Sequence, residues 1–107
     1  MILTIQALNG RKKVTLESAF QSKVIEYLKS IGAYVIKIHV SSYQLEGEPD
    51  IVCCYQGKFY AFELKQGSKL SELQKIKLEL IRKSGGVAME IRSIEQLKEL
   101  FESDVKV

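Results

Sequence analysis

The sequence predicts an α/β domain in which a central mixed β-sheet is flanked by α-helices. Three observations lead there. Apolar residues recur at helical spacing over 16–31 and again after residue 71, whereas 33–40, 51–55, 58–65 and 87–91 are β-branched, aromatic or alternating. These helical and extended segments interleave, in the order helix, three strands, helix, strand, helix. The chain has 107 residues, of which 46% are hydrophobic and 27% charged, so one domain with one core is expected.

The first helix starts at Thr15, an N-cap residue type, and runs to Ile31, with Gly32 ending it. Leu16, Phe20, Val24, Tyr27, Leu28 and Ile31 share one stripe and are expected to be buried. "AYVIKIHV" (33–40) follows as a strand, and 41–49 reads as a polar loop. Residues 51–55 and 58–65 form a hairpin across Gln56-Gly57, a two-residue connection. Ser71 and Gln74 have capping-box spacing before the helix that Gly85-Gly86 closes, with Leu73, Ile76, Leu80 and Ile81 as its expected apolar face. "VAMEI" (87–91) is the last strand. Ser93 and Gln96 repeat the capping-box pattern ahead of a short helix over 94–102. Residues 1–7 read as a strand that could pair with 12–15 through Asn9-Gly10, or equally as part of a basic arm containing Arg11, Lys12 and Lys13.

Several function classes are set aside at this level. No apolar run reaches the ~18 residues of a membrane span, and the order of the first 13 residues, apolar then basic, is the reverse of a secretory signal. A cytoplasmic protein is expected. The two cysteines, Cys53 and Cys54, are adjacent in a strand and so point to opposite faces, poorly placed to bond each other. With one histidine and no CxxC, a structural zinc site is not indicated, and both thiols are expected to be packing groups of a reduced protein. The net charge of +3 permits contact with nucleic acid without arguing for it.

The chemistry lies in "GEPDIVCCYQGKFYAFELKQG" (47–67). Phe59, Ala61, Glu63 and Lys65 share one strand face and Tyr60, Phe62 and Leu64 the other, so both faces are apolar up to Glu63, as in a covered central strand. Counting back from the turn pairs 55 with 58 and therefore sets Asp50 opposite about Glu63. Two carboxylates at that separation raise each other's pKa unless a cation lies between them, and Mg²⁺ favours one or two carboxylates with water and phosphate. Lys65 stands one strand step away, where an ammonium can orient a water or offset charge on a phosphate. The plainer alternative is a Glu63–Lys65 salt bridge with Asp50 as a turn residue. Glu17 projects within the stripe of the first helix, which suggests a third acid at the site; a first-turn acid favoured by the helix dipole is the alternative.

Pro49-Asp50, twelve intervening residues and Glu63-Leu64-Lys65 resemble the PD-(D/E)xK nuclease superfamily. Glu17 in the first helix, Gly47 before the Pro-Asp pair and "KQGSKLSELQ" after the active strand are similar to its virus-type replication-repair nuclease branch, VRR-NUC, in a compact stand-alone form. The resemblance covers residues 15–92. It implies a restriction-endonuclease-like core with the active hairpin inside the sheet: a single nuclease domain over 1–107, with a catalytic core at 15–102. It further implies that Asp50, Glu63 and the Leu64 carbonyl bind Mg²⁺ or Mn²⁺, with Glu17 helping directly or through water. Lys65 would position the nucleophilic water, and Gln74 would support the site, although capping alone also accounts for Gln74. The small members resemble Holliday-junction resolvases, so a homodimer acting on branched DNA in repair, in a phage or bacterial cytoplasm, is expected. Other nuclease substrates (flap, linear duplex, RNA) and a catalytically silent binding module are the alternatives. Lys69 and Lys75 are candidate DNA contacts, with Lys12, Lys13, Lys37, Lys58 and Lys77; each also reads as solvated surface.

Overall fold

The computed structural model of the chain describes residues 15–39 and 46–103. Thr15 opens helix α1 (Leu16–Ser30): its hydroxyl accepts the Ser18 N–H, and the Ser18 hydroxyl accepts the Thr15 N–H, each at 3.0 Å. Strand β1 is Tyr34–Lys37, shorter than the expected 33–40, of which Val40 lies outside the described residues. Strands β2 (Ile51–Tyr55) and β3 (Lys58–Leu64) pair antiparallel with Tyr55 opposite Lys58, the expected register. Gln56 and Gly57 both have positive φ, 51° and 79°, which makes the connection a type I′ turn that matches the right-handed strand twist. Helix α2 (Glu72–Lys83), strand β4 (Val87–Ile91) and helix α3 (Ile94–Glu102) complete the chain. The expected strand over 1–7, its possible hairpin and the basic cluster at 11–13 lie outside the described residues.

The sheet runs β1-β2-β3-β4, antiparallel except for β3 with β4, which are parallel and joined through α2. The β2–β3 hairpin is therefore interior, with a neighbouring strand on each side. One face carries Cys53, Tyr60, Phe62, Leu64 and Ile91 and packs on Phe20, Val24 and Leu28 of α1 and Leu97 and Phe101 of α3. Each fully buried aliphatic group there contributes about 1.5–3 kcal/mol. Phe101 gathers the rings, with its centroid 4.9 Å from that of Tyr60 and 5.2 Å from that of Tyr55.

The other face is covered more thinly. Ala61 and Ala88 let α2 approach closely, and Leu78 is the helix residue fully buried against them. Here the structure corrects the sequence. Ile76 and Leu80 point outward, Ile76 with 54% of its surface exposed, Leu73 lies against Gly47 rather than the sheet, and of the four expected core residues only Ile81 packs inward. The pattern is amphipathic, but with Leu78, Gln74 and Ile81 turned to the sheet. Among the described residues no helix covers this face over β1 or the turn end of β3, and Tyr34, Ile36 and Phe59 are exposed. Leu16, at 85% exposure, also leaves the stripe to which it was assigned, because it stands at the open first turn of α1. Cys53 is buried, and burial pushes its thiol up to about 11, whereas Cys54 is exposed on the opposite face and is not a packing group. Among the described residues no helix is long and apolar enough to cross a membrane.

Candidate active site

At the C-terminal end of β3 a polar cleft of about 440 Å³ is lined by Glu17, Asp50, Glu63, Leu64, Lys65 and Gln74, with Leu16, Gln66 and Ser68 at its margins. Four elements deliver these groups: the first turn of α1, the residue before β2, the end of β3 and the first turn of α2. A larger cleft, at the opposite end of β3 between the type I′ turn and the end of α2, has no acidic lining residue.

Asp50 is fixed by the hairpin itself. Its N–H donates to the Phe62 carbonyl at 3.0 Å, and its Oδ2 accepts the Leu64 N–H at 2.8 Å. The carboxylate thus takes the place of a backbone carbonyl in the last rung of the ladder. Glu63 extends the observed register to the position opposite Asp50, as counted from the turn. Its side chain shares a face with Ala61, under α2, and is 2% exposed. Gln74 orients it. The Gln74 Nε2 donates to Glu63 Oε2 at 2.9 Å while its Oε1 accepts the Ser71 N–H at 2.9 Å. The capping and supporting roles of Gln74 are therefore not alternatives, because the two ends of one amide perform both.

Glu63 Oε1 is buried and has no hydrogen-bond partner among the described residues. An unmatched buried acceptor costs about 1–3 kcal/mol, more when charged. Burial raises the Glu63 carboxyl most, the adjacent Asp50 charge adds to this, and Lys65 only partly offsets it; the group is pushed up to about 8. Glu90, in register with Glu63 on β4, raises it slightly further. The Glu63–Lys65 salt bridge is not formed, since among the described residues no ion pair within 4.0 Å joins them. Lys65 instead lines the cleft, half-buried, with its backbone N–H tied to the Ile91 carbonyl at 3.1 Å.

A hard divalent cation fits this donor set. It would meet the orphaned Glu63 oxygen and the Asp50 carboxylate, and it would relieve the repulsion between the two. The Leu64 side chain is buried on the other face, so Leu64 contributes its backbone to the cleft. Glu17 lines the cleft but is exposed rather than core-facing, and among the described residues no three acidic, imidazole or thiol groups are close enough to share one ion. Two carboxylates completed by backbone and water are what the geometry offers.

No protein-family model matches the chain, and no curated protein sequence does. Solved structures do. A structure described as a VRR_NUC domain superposes with a TM-score of 0.70 at 25% identity, covering 83% of this chain and 97% of the other. The fold is VRR-NUC-like. A second structure, Hjc, a Holliday junction resolvase from the archaeal hyperthermophile Archaeoglobus fulgidus, shares it at a TM-score of 0.58 and 21% identity, over 71% of this chain and 67% of Hjc. In this VRR-NUC-like chain the four-strand mixed sheet and its flanking helices are the PD-(D/E)xK nuclease-like core that the motif spacing implied.

Of the site residues named from sequence, Glu17, Asp50, Glu63, Leu64, Lys65 and Gln74 line one cleft. Among the basic candidates, Lys75 pairs with Glu72 at 3.2 Å and Lys77 with Glu48 at 2.9 Å, while Lys37, Lys58 and Lys69 are exposed. Glu90 and its ion-pair partner Arg92 were missed. Arg92 also donates to the Ser68 carbonyl at 2.7 Å, tying down the loop after Lys65. The alternation in "VAMEI" set Glu90 on the face of Ala88, but only the parallel register with β3 reveals which residue it stands beside.

Proposed function

We propose that the chain is a Mg²⁺- or Mn²⁺-dependent endonuclease that hydrolyses DNA phosphodiester bonds and acts as a homodimer on four-way-junction DNA. The observation that carries this is the buried Glu63 carboxyl, its Oε1 unmatched, facing Asp50 at the head of a polar cleft with Lys65. The VRR-NUC-like fold and the likeness to a Holliday junction resolvase support DNA as the substrate.

Asp50 and Glu63 would hold the cation, with the Leu64 backbone as a further donor and Glu17 acting through water. When bound, the cation supplies Lewis acidity toward a phosphate oxygen and lowers the pKa of a water. The Lys65 ammonium, which has no ion pair among the described residues, would orient the attacking water and offset charge developing on the phosphate. Gln74 holds Glu63 in one rotamer. The two-fold symmetry of a four-way junction calls for two symmetric cuts, which a homodimer supplies. The exposed apolar groups on α2 and on the open half of the sheet support a partner surface of that kind.

The test is a cleavage panel of four-way junction, flap and linear duplex, each with Mg²⁺, Mn²⁺ or chelator, alongside the mass in solution. Junction cleavage that needs the cation and is lost in Asp50→Ala and Lys65→Ala is expected. Undiminished cleavage by either variant would remove the mechanism, and preference for linear duplex would remove the junction assignment.

A further inference from the structure

Helix α2 reaches the cleft through Gln74, and the same helix also grips the segment leading into Asp50. Lys77 Nζ lies 2.9 Å from Glu48 Oε2, with the two side chains only 30% and 29% exposed. The other two ion pairs on α2, Lys75–Glu72 and Arg82–Glu79, join residues three apart on the helix and are more exposed. One turn before Lys77, Leu73 presses against Gly47: a Cβ at Gly47 would stand 2.5 Å from Leu73 Cγ, and Gly47 has φ +83°. Only glycine accepts both the contact and that backbone without strain. Pro49, between this contact and Asp50, is fully buried. Residues 47–49 are thus held to α2 by a packed glycine and one partly desolvated ion pair, and Asp50 is the next residue.

Two arms of one helix therefore set the two carboxylates. Gln74 bonds Glu63 directly, and Lys77 holds Glu48, two residues from Asp50. We propose that Lys77 is a positioning residue for the divalent-cation site, acting through Glu48 on the placement of the Asp50 carboxylate. The inference rests on the cation reading of the Asp50–Glu63 cleft. Groups outside the direct ligands commonly change metal affinity by about 10–100-fold, and Lys77 acts from one step further away, so an effect of about three- to tenfold is expected.

The experiment is calorimetric titration of Mn²⁺ into the full chain without nucleic acid, paired with the cation-induced rise in Tm. Lys77→Met and Glu48→Gln should each weaken Mn²⁺ binding about three- to tenfold and shrink the Tm rise, while Lys77→Arg restores both. Glu48→Lys with Lys77→Glu should recover affinity relative to either single change. In an Asp50→Asn background, Lys77→Met should add no further loss. A purely structural role would lower the Tm of the cation-free protein yet leave the Mn²⁺-induced rise intact. Binding within twofold of wild type in Lys77→Met would overturn this inference alone. Absence of Mn²⁺ binding by wild type would overturn the cation reading itself. If Lys77→Met does not fold, Glu48→Gln removes the same pair and is read the same way.

Discussion

Glu63 sits on an interior strand with almost no contact with water, and its carboxyl is pushed up to about 8 from an ordinary 4.5. Without a cation the folded protein therefore holds a proton that the unfolded chain releases above about 4.5. Between about 4.5 and about 8 the native state binds more protons, so stability falls as pH rises through that window. Glu63→Gln removes the titration and keeps an acceptor for Gln74. The cation-free variant should accordingly hold its Tm across this range while wild type loses it. Adding Mg²⁺ or Mn²⁺ at pH 8 should raise the wild-type Tm and leave that of Glu63→Gln nearly unchanged. Thermal melts across pH check this; a parallel decline in both proteins would show that Glu63 is not the titrating group. The acid pair was legible in the sequence because strand alternation and a two-residue turn fix both face and register. Glu90 was not, because a parallel register depends on how the crossover helix packs.

Helix α2 shows where periodicity stops being informative. Leu73, Ile76 and Leu80 make a credible apolar stripe at i, i+3 and i+7, yet the helix is turned so that Leu78 meets Ala61 and Ala88. Gln74, bonded to buried Glu63, lies on that inward side with Leu78 and Ile81. The helix thus carries two candidate faces, and its sequence alone does not announce which one meets the sheet. The consequence is measurable. Leu78→Ala should cost about 2–5 kcal/mol in chemical denaturation, as a large-to-small change at a packed site. Ile76→Glu, at a residue 54% exposed, should change monomer stability by no more than about 0.5 kcal/mol. If the outer stripe forms the homodimer contact, the same change should yield a monomer by sedimentation or light scattering. A dimer of unchanged affinity would place that contact elsewhere. The caps, by contrast, were readable almost to the residue. Thr15, Ser71 and Ser93 each accept an N–H three residues on, although the Gln96 side-chain Oε1 accepts the Arg92 N–H rather than closing a box on Ser93.

At the scale of the molecule, and among the described residues, α1 and α3 cover one face of the sheet while α2 covers only part of the other. Three helices in the right order did not disclose that imbalance, because sequence order does not say which strands a helix spans. The middle of β3 and β4 receive α2, while Tyr34 and Ile36 of β1 and Phe59 at the turn end of β3 are exposed. The sequence did disclose the order of elements and the interior position of the hairpin, through the apolar residues on both faces of β3. In the proposed DNA complex, phosphate contacts would come from lysines that have no acidic partner among the described residues, on a chain of net charge +3. Lys69, exposed and next to the cleft-lining Ser68, is the nearest such group downstream of Lys65. Lys69→Ala should weaken junction binding about equally for all sequences and reduce the slope of log affinity against log salt by about one. Fluorescence anisotropy at several salt concentrations measures it, and an unchanged slope would exclude a phosphate contact there.

Because Oδ2 of Asp50 terminates the hairpin ladder on the Leu64 amide, the carboxylate proposed to hold the cation also serves the architecture. An asparagine in its place retains an oxygen for that amide and brings an NH₂ toward the orphaned oxygen of Glu63. Asp50→Asn should therefore melt no lower than wild type, cut nothing, and still retain junction DNA in a gel-shift assay. Such an inert but intact molecule is the natural trap for visualising an uncleaved substrate.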